Sequence, residues 1–272
     1  MSQKKIINPL AIDGEVIPLL ENPQNIKIHS EFKSTRNFIT DKGLMVVTTN
    51  EDVLPPLGIV LSRKGFEEFS IENRKFIISE SKVYCSQMDT YDKNPDSRIF
   101  NIYMRRLMLD DFENGLGIDN KEVEKILMNT RLTNLTEEGE MIWRMISRRG
   151  SVDMDRLIGR GRGLTPAWDD FIVGFSAVLR ANSADEEIRQ IIQELIFSEG
   201  LKLTTDISQD YLIKTINGCF SQNIKMLINF IQNNIFDEKS YLNVIKYGGT
   251  SGVDTFIGMM SAYASLLGIG TI

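Results

Sequence analysis

The fold of this chain is decided by one stretch, which reads Gly159-Arg-Gly-Arg-Gly-Leu-Thr-Pro-Ala-Trp-Asp-Asp-Phe-Ile-Val-Gly174. Three glycines at alternate positions leave the backbone bare, so the loop can turn tightly and bring its N–H groups against a ligand. Pro166 favours a turn or the first turn of a helix, which we expect to run to about Asn182. Because a helix start offers unpaired N–H groups and a field that attracts negative charge, the stretch predicts a site for a small anion.

Charged side chains flank this loop. Arg160 and Arg162 add positive charge and, if they point inward, a forked grip on carboxylate or phosphate. Asp169 and Asp170 repel an anion unless they bind a cation, accept a substrate N–H or hold the loop together. The alternative is that Asp169 caps the helix and Asp170 is a first-turn charge. The loop lacks the lysine of a Walker loop, and no strand clearly precedes it as in a Rossmann fingerprint.

A second stretch repeats this arrangement and reads Gly248-Gly-Thr-Ser-Gly-Val-Asp-Thr-Phe-Ile-Gly258. Asp170 precedes Gly174 by four residues, and Asp254 precedes Gly258 by four. We expect two similar units whose helix starts point into one pocket; the alternative is a chance likeness of two capped core helices. The segments that follow the aspartates are apolar on most faces and are predicted as buried central helices, Phe171–Leu179 and Phe256–Leu267.

Hydroxyl side chains form a third cluster, Thr204-Thr205-Asp206-Ile207-Ser208. Side chains of this kind cap a helix start or bind a ligand oxygen, and the pattern leaves both roles open.

The two ends of the chain differ in periodicity. Short β-type runs precede residue 105 and are predicted as strands: Lys27–Ile39, Leu44–Thr49, Gly58–Ser62, Phe76–Ser79 and Lys82–Cys85. Helical periodicity follows, with helix starts at Asp119-x-x-Glu122 and Ser183-x-x-Glu186 and further helices at Tyr211–Asn217 and Asn223–Gln232. The class is therefore α+β, with a β-rich domain of residues 1–105 (a small antiparallel sheet or barrel) and a helical domain of residues 106–272.

Composition excludes several classes of function. The net charge of -6 argues against a nucleic-acid partner held by bulk electrostatics. The longest apolar stretch is short and interrupted, so no membrane is expected. The two cysteines suit a cytoplasmic protein, and the single histidine, His29, rules out a multi-histidine zinc site and is expected on a strand. We expect neither a metal nor a cofactor.

The three motifs together resemble one bacterial family. They are Gly-x-Gly-Leu-Thr-Pro-x-x-Asp-Asp-Phe-x-x-Gly, then Thr-Thr-x-Ile-Ser, then Gly-x-Ser-Gly-x-Asp, in the family's order over roughly residues 155–260. The family is that of the AllH subunit of oxamate carbamoyltransferase, formerly a family of unknown function whose members are often labelled carboxylases. Two positions depart from the family pattern: Arg162 replaces a typical proline, and Trp168 replaces a small residue, so we expect the indole to reshape the pocket.

The resemblance implies carbamoyl transfer between oxalurate and phosphate, giving oxamate and carbamoyl phosphate in allantoin breakdown, with two other kinds of subunit. The implied ligand is a small anion: oxalurate, phosphate or carbamoyl phosphate. Under this hypothesis the residues in contact with the reacting groups are Asp169, Asp170 and Arg162. The residues that hold substrate oxygens are Arg160, Gly161, Gly163, Leu164, Thr165, Thr204, Thr205, Ser208, Gly249, Thr250, Ser251, Gly252 and Asp254.

Two other functions stay open. The chain fits a non-catalytic subunit or regulator that binds a carboxylate and docks onto partner enzymes. Paired aspartates beside a glycine loop also fit a magnesium-dependent phosphotransferase, although the loop lacks a lysine that would bind the phosphates of a nucleotide.

Overall fold

A computed structural model describes residues 5–21, 26–69, 74–76, 81–129, 132, 134–147, 156–199 and 203–269. The chain forms two compact units, Met1–Gln87 with Cys219–Asn223 and Met88–Gly218 with Ile224–Ile272. Residues 105 and 106 lie inside one helix, Ser97–Leu109, and the domain boundary between them stays a prediction.

The first unit is built on short strands. They are β1 (Lys5–Ile7), β2 (Ala11–Asp13), β3 (Lys27–Glu31), β4 (Thr35–Thr40), β5 (Gly43–Thr48), β6 (Gly58–Val60), β7 (Arg74–Phe76) and β8 (Lys82–Tyr84). Over the described residues, six of them form one sheet in the order β3-β4-β5-β6-β2-β8, and β1 pairs with β7 in parallel. Two short helices accompany them, α1 (Ile17–Glu21) and α2 (Arg63–Glu67).

The α+β class is confirmed, but the sheet is mixed rather than antiparallel. β3–β4, β4–β5 and β2–β6 are antiparallel pairs, whereas β5–β6 and β2–β8 run in parallel. Residues 49–57 join β5 to β6, and this connection is longer than the tight turn of an antiparallel hairpin. Part of the connection is buried, and β6 leaves it in the same direction as β5. His29 lies in β3 as expected. Residues 77–79 of the predicted strand Phe76–Ser79 lie outside the described residues.

Alternation along these strands produces the core of the first unit. Apolar side chains from the sheet and from α2 pack into one cluster, which includes Ile12, Phe38, Met45, Val47, Ile59, Leu61 and Phe66. The central strands β5 and β6 are buried along nearly their whole length, whereas β3 and β8 at the edges of the sheet are more exposed.

The second unit is helical. Its helices are α3 (Ser97–Leu109), α4 (Asn120–Leu127), α5 (Glu137–Ser147), α6 (Ala167–Ala181), α7 (Glu186–Glu199), α8 (Asp206–Ile216), α9 (Gln222–Gln232, whose first residues belong to the first unit), α10 (Glu238–Ile245) and α11 (Ser251–Leu266). Among the described helices, none combines the length and the hydropathy that a membrane crossing needs.

Local capping explains the start of α4. Asp119 accepts a hydrogen bond from the Glu122 N–H at 2.7 Å and opens α4, as predicted. The start predicted at Ser183 is wrong, because the Ser183 N–H bonds the Arg180 carbonyl and so closes α6. That residue adopts a left-handed φ of 54°, which is typical of a helix end.

Helices α6 and α11 are the buried central pair, as predicted. Their backbones touch where two glycines lie. A Cβ atom on Gly174 would lie 1.9 Å from the Thr255 carbonyl oxygen, and one on Gly258 would lie 2.1 Å from that of Phe171. The contact is reciprocal, since each glycine meets the carbonyl three residues before the other. Only glycine permits so close an approach.

We expect Gly174→Ala to lower the free energy of unfolding by about 3 kcal/mol, because the added methyl group overlaps backbone atoms that cannot move aside. Alanine is otherwise favoured over glycine inside a helix by about 1 kcal/mol, so the two effects have opposite signs. Urea unfolding measures the difference. Gly249→Ala is the control, since nothing lies within 4 Å of its Cβ position. A more stable Gly174→Ala variant would contradict the close contact.

Candidate functional site

The starts of the two central helices lie side by side. Thr165 lies two residues before α6, and Ser251 is the first residue of α11. Their hydroxyl oxygens are 3.0 Å apart. Gly115 packs against both starts: a Cβ atom there would lie 2.9 Å from the Ala167 Cβ and 3.0 Å from the Thr250 Oγ1. The two glycine loops are therefore neighbours within the second unit.

Both loops present unpaired backbone donors. Among the described residues, no acceptor takes the N–H groups of residues 161–165 or of residues 249–251. Gly161 and Gly163 have φ values of 121° and 97°, a region that side chains disfavour, and residues 161–164 are exposed. Successive free N–H groups in such turns form concavities that bind anions. Gly252 is the exception among the predicted backbone donors, because its N–H bonds the Tyr247 carbonyl at 2.9 Å.

The two arginines of the loop differ in their partners. Arg160 forms an ion pair with Glu138 of α5, so its charge is already compensated. Arg162 is exposed and pairs with no acidic group in the described part of the chain. Of these two, Arg162 is the cation available to an incoming anion.

Asp169 holds the loop together. It is 1% exposed, and its carboxylate accepts hydrogen bonds from the Gly159 N–H at 2.7 Å, the Ser208 hydroxyl at 2.6 Å and the Thr204 hydroxyl. Burial raises its pKa, and the bonds from Ser208, Thr204 and Gly159 oppose that rise. Because every described contact of this carboxylate is internal, Asp169 acts as a clamp between the loop and the start of α8.

The hydroxyl cluster before α8 also makes internal contacts. Thr204 and Ser208 bond Asp169, while Thr205 donates to the Leu164 carbonyl at 2.5 Å and accepts the Ser208 N–H as the cap of α8. The contacts therefore favour the capping and bracing role over ligand binding for these three side chains.

Asp170 lies in a different environment from its neighbour. Its Oδ2 atom is buried without a hydrogen-bond partner among the described residues. Burial raises its pKa to about 8; hydrogen bonds from Ser251 and Thr165 act against this, and the charges of Asp254 and Asp169 add to it. This carboxyl group is therefore largely protonated at neutral pH.

Asp254 repeats the arrangement on α11. It is fully buried, with its Oδ1 atom accepting the Gly115 N–H at 2.9 Å and its Oδ2 atom unpaired among the described residues. Burial raises its pKa to about 6, against hydrogen bonds from Gly115 and Thr250.

Several residues near these groups escaped the sequence patterns. Tyr211 and Tyr247 hydrogen-bond to each other. Loss of solvent raises the pKa of both, and the charge of Asp170 adds to this rise, although Tyr247 is 38% exposed. Gly115 lies between α3 and α4 and packs against the starts of both central helices. Glu138 of α5 pairs with Arg160 of the first loop. These residues lack a shared spacing with the glycine loops, so only the fold brings them together.

Trp168 lies in the core rather than in the exposed loop. It is 1% exposed, and its ring packs 5.4 Å from that of Phe171. Its backbone N–H bonds the Arg160 carbonyl at 3.1 Å. The indole therefore packs in the core, and the backbone of the same residue holds the loop at Arg160. Among the described residues, no cluster of three or more histidine, cysteine or acidic side chains suits a metal ion.

The clamp predicts that Asp169→Ala lowers the free energy of unfolding by about 3 kcal/mol, because three donors to a carboxylate are left unsatisfied. Chemical denaturation measures this loss. Asp92→Ala removes an exposed carboxylate from the same unit and should change stability by less than about 0.5 kcal/mol. A loss as small as that of the control would show that the clamp is not formed.

A second prediction concerns pH. The pKa of Asp170 is 3.8 when unfolded and about 8 when folded, so between these values only the folded chain keeps the proton. Stability from this group therefore falls as pH rises through this window, by about 1.4 kcal/mol per unit, and levels off above it. Because Asp170→Asn cannot ionise, its stability relative to the original chain should rise between pH 5 and pH 7 in urea titrations. A difference independent of pH would contradict the neutral carboxyl group.

Comparison with known proteins gives one finding. The model of the family described as oxamate carbamoyltransferase subunit AllH matches residues 157–263, which include both glycine loops, Asp169, Asp170 and Asp254. No curated protein and no solved structure matches the chain. Over this stretch, the chain resembles the AllH subunit of oxamate carbamoyltransferase.

Proposed function

We propose that this chain is the anion-binding subunit of a carbamoyltransferase that moves a carbamoyl group between oxalurate and phosphate. The observation that carries the proposal is the pair of adjacent loops with unpaired N–H groups, residues 161–165 and 249–251. They lie within the stretch that matches the oxamate carbamoyltransferase family. The match also supports other subunits as partners, and a content of only two cysteines agrees with a reducing cytoplasm.

The loops suit the oxygens of carboxylate or phosphate. Unpaired N–H groups at the start of a helix bind such anions, and the dipole of each helix adds to the attraction. Arg162 supplies the uncompensated positive charge, whereas Arg160 is held by Glu138. A charged donor of this kind binds more strongly than a neutral one.

The reaction requires one bond to form and one to break. A phosphate oxygen bonds to the carbamoyl carbon of oxalurate, the bond from that carbon to the oxamate nitrogen breaks, and the nitrogen takes up a proton. The site must hold the two anions together against their repulsion, and such positioning lowers the activation barrier by up to about 7–11 kcal/mol. Donors fixed in the folded chain stabilise the negative charge that develops on the carbamoyl oxygen.

A second candidate is a binding subunit that does no chemistry. It is favoured by the internal bonding of Asp169, whose described contacts all brace the loop. In that case the reacting groups come from partner subunits, and this chain contributes the anion site alone.

Arg162→Ala should weaken the binding of oxamate by about 10- to 150-fold, because a charge-assisted hydrogen bond contributes about 1.5–3 kcal/mol. Isothermal titration calorimetry on the single chain measures the dissociation constant. Arg98→Ala is the control, since that arginine is 87% exposed on α3 and pairs only with Asp96 among the described residues. Equal affinity of the two variants for oxamate would show that Arg162 does not contact the ligand. Failure of the unchanged chain to bind oxamate would refute the proposed function.

Reconstitution with the partner subunits separates the two candidates. The unchanged complex should form carbamoyl phosphate from oxalurate and phosphate, and a complex with Asp170→Asn should lose most turnover if this chain takes part in the chemistry. Full turnover by that variant, with unchanged anion affinity, would favour the binding subunit.

A further inference from the structure

Asp170 has an unused oxygen at the place where the two loops meet. Its Oδ2 atom is buried and makes no hydrogen bond to a described residue. A buried polar atom without a partner costs about 1–3 kcal/mol, so a group that persists in this state is a candidate for ligand contact. Asp254, fully buried on the neighbouring helix, has a second such oxygen.

Burial and neighbouring carboxyl groups disfavour a negative charge on Asp170, and they outweigh the hydrogen bonds from Ser251 and Thr165 that favour it. Asp169 flanks it on α6, and Asp254 faces it from α11. Tyr211 on α8 and Tyr247 before α11 lie near enough for its charge to act on them. The hydroxyls of Thr165 and Ser251 are its polar neighbours. Burial beside two acidic groups keeps the pKa of Asp170 at about 8, above that of an ordinary carboxyl group.

A protonated carboxyl group can both donate and accept a hydrogen bond, as a carboxamide can. A carboxamide therefore pairs with it through two antiparallel hydrogen bonds. The loops, by contrast, offer N–H donors that no described residue accepts, and such donors suit a carboxylate. The two kinds of group lie side by side, since Thr165 belongs to the loop and also bonds Asp170.

We propose that neutral Asp170 binds the uncharged carboxamide end of the ligand while the loop N–H groups hold its carboxylate end. The preferred ligand class is thus a small carboxylate with an adjacent amide group, as in oxamate or oxalurate. This inference rests on the proposed function and assigns a specificity-determining role to one residue of that site. It also explains how an anion binds beside an aspartate: the carboxyl group in contact with it carries no charge.

The test measures oxamate binding by calorimetry at pH 6.5, 7.5, 8.5 and 9.5. Oxamate keeps its carboxylate charge over this range, because carboxyl groups ionise near pH 4. The unchanged chain should bind about tenfold more weakly for each pH unit above 8, since ionised Asp170 repels the ligand. Asp170→Asn stays neutral and keeps a donor and an acceptor, so its affinity should be the same at all four pH values. Asp170→Ala should bind weakly throughout.

Three results would overturn the assignment. One is an affinity of the unchanged chain that does not vary with pH, and another is Asp170→Asn binding as weakly as Asp170→Ala. The third is tighter oxamate binding when magnesium is added, because the aspartates would then hold a cation. Failure of the unchanged chain to bind oxamate at any pH would instead refute the proposed function itself. Thermal unfolding of each variant establishes that it is folded.

Discussion

The arrangement of the second unit depends on the backbone contact between α6 and α11. The glycines at positions 174 and 258 let each helix rest on a carbonyl group of the other. Because this contact lies within two turns of both helix starts, the loops that precede them are brought together, and the hydroxyls of Thr165 and Ser251 meet at 3.0 Å. A larger side chain at either glycine would separate the helices and, with them, the two sets of free N–H groups.

Asp169 and Asp170 are consecutive residues of α6, yet their carboxyl groups differ in hydrogen bonding and in protonation. Neighbouring residues of an α-helix point about 100° apart, so Asp169 and Asp170 face different neighbours. Asp169 meets three donors from the loop and the start of α8, which satisfy its charge. Asp170 lies near α11, where a second carboxylate disfavours ionisation. Environment, rather than residue type, separates a structural clamp from a group that is free to contact a ligand.

This division answers the objection that aspartates raise against an anion site. Asp169 has its negative charge balanced by hydrogen bonds, and the proton on Asp170 removes a second charge near neutral pH. Asp254, whose pKa is about 6, keeps its charge there and accepts hydrogen bonds from Gly115 and Thr250. The exposed side of the loop then carries the cation Arg162 and the unpaired amide groups. Fixed donors of this kind bind anions without reorganisation, which is why they also stabilise charge that develops during a reaction.

The sequence alone determined the local features: the two loop-to-helix units, the buried helices, the cap at Asp119 and the α+β class. Each depends on residues a few positions apart, where spacing fixes which side chains share a face or reach a backbone donor. Tertiary structure alone decided the parallel strand pairs and the partners of Arg160, Asp169 and Asp170. Those contacts join segments that are distant in sequence, such as Glu138, Tyr211 and Tyr247, and whether a carboxyl group keeps its proton depends on the charges and burial that only folding assembles.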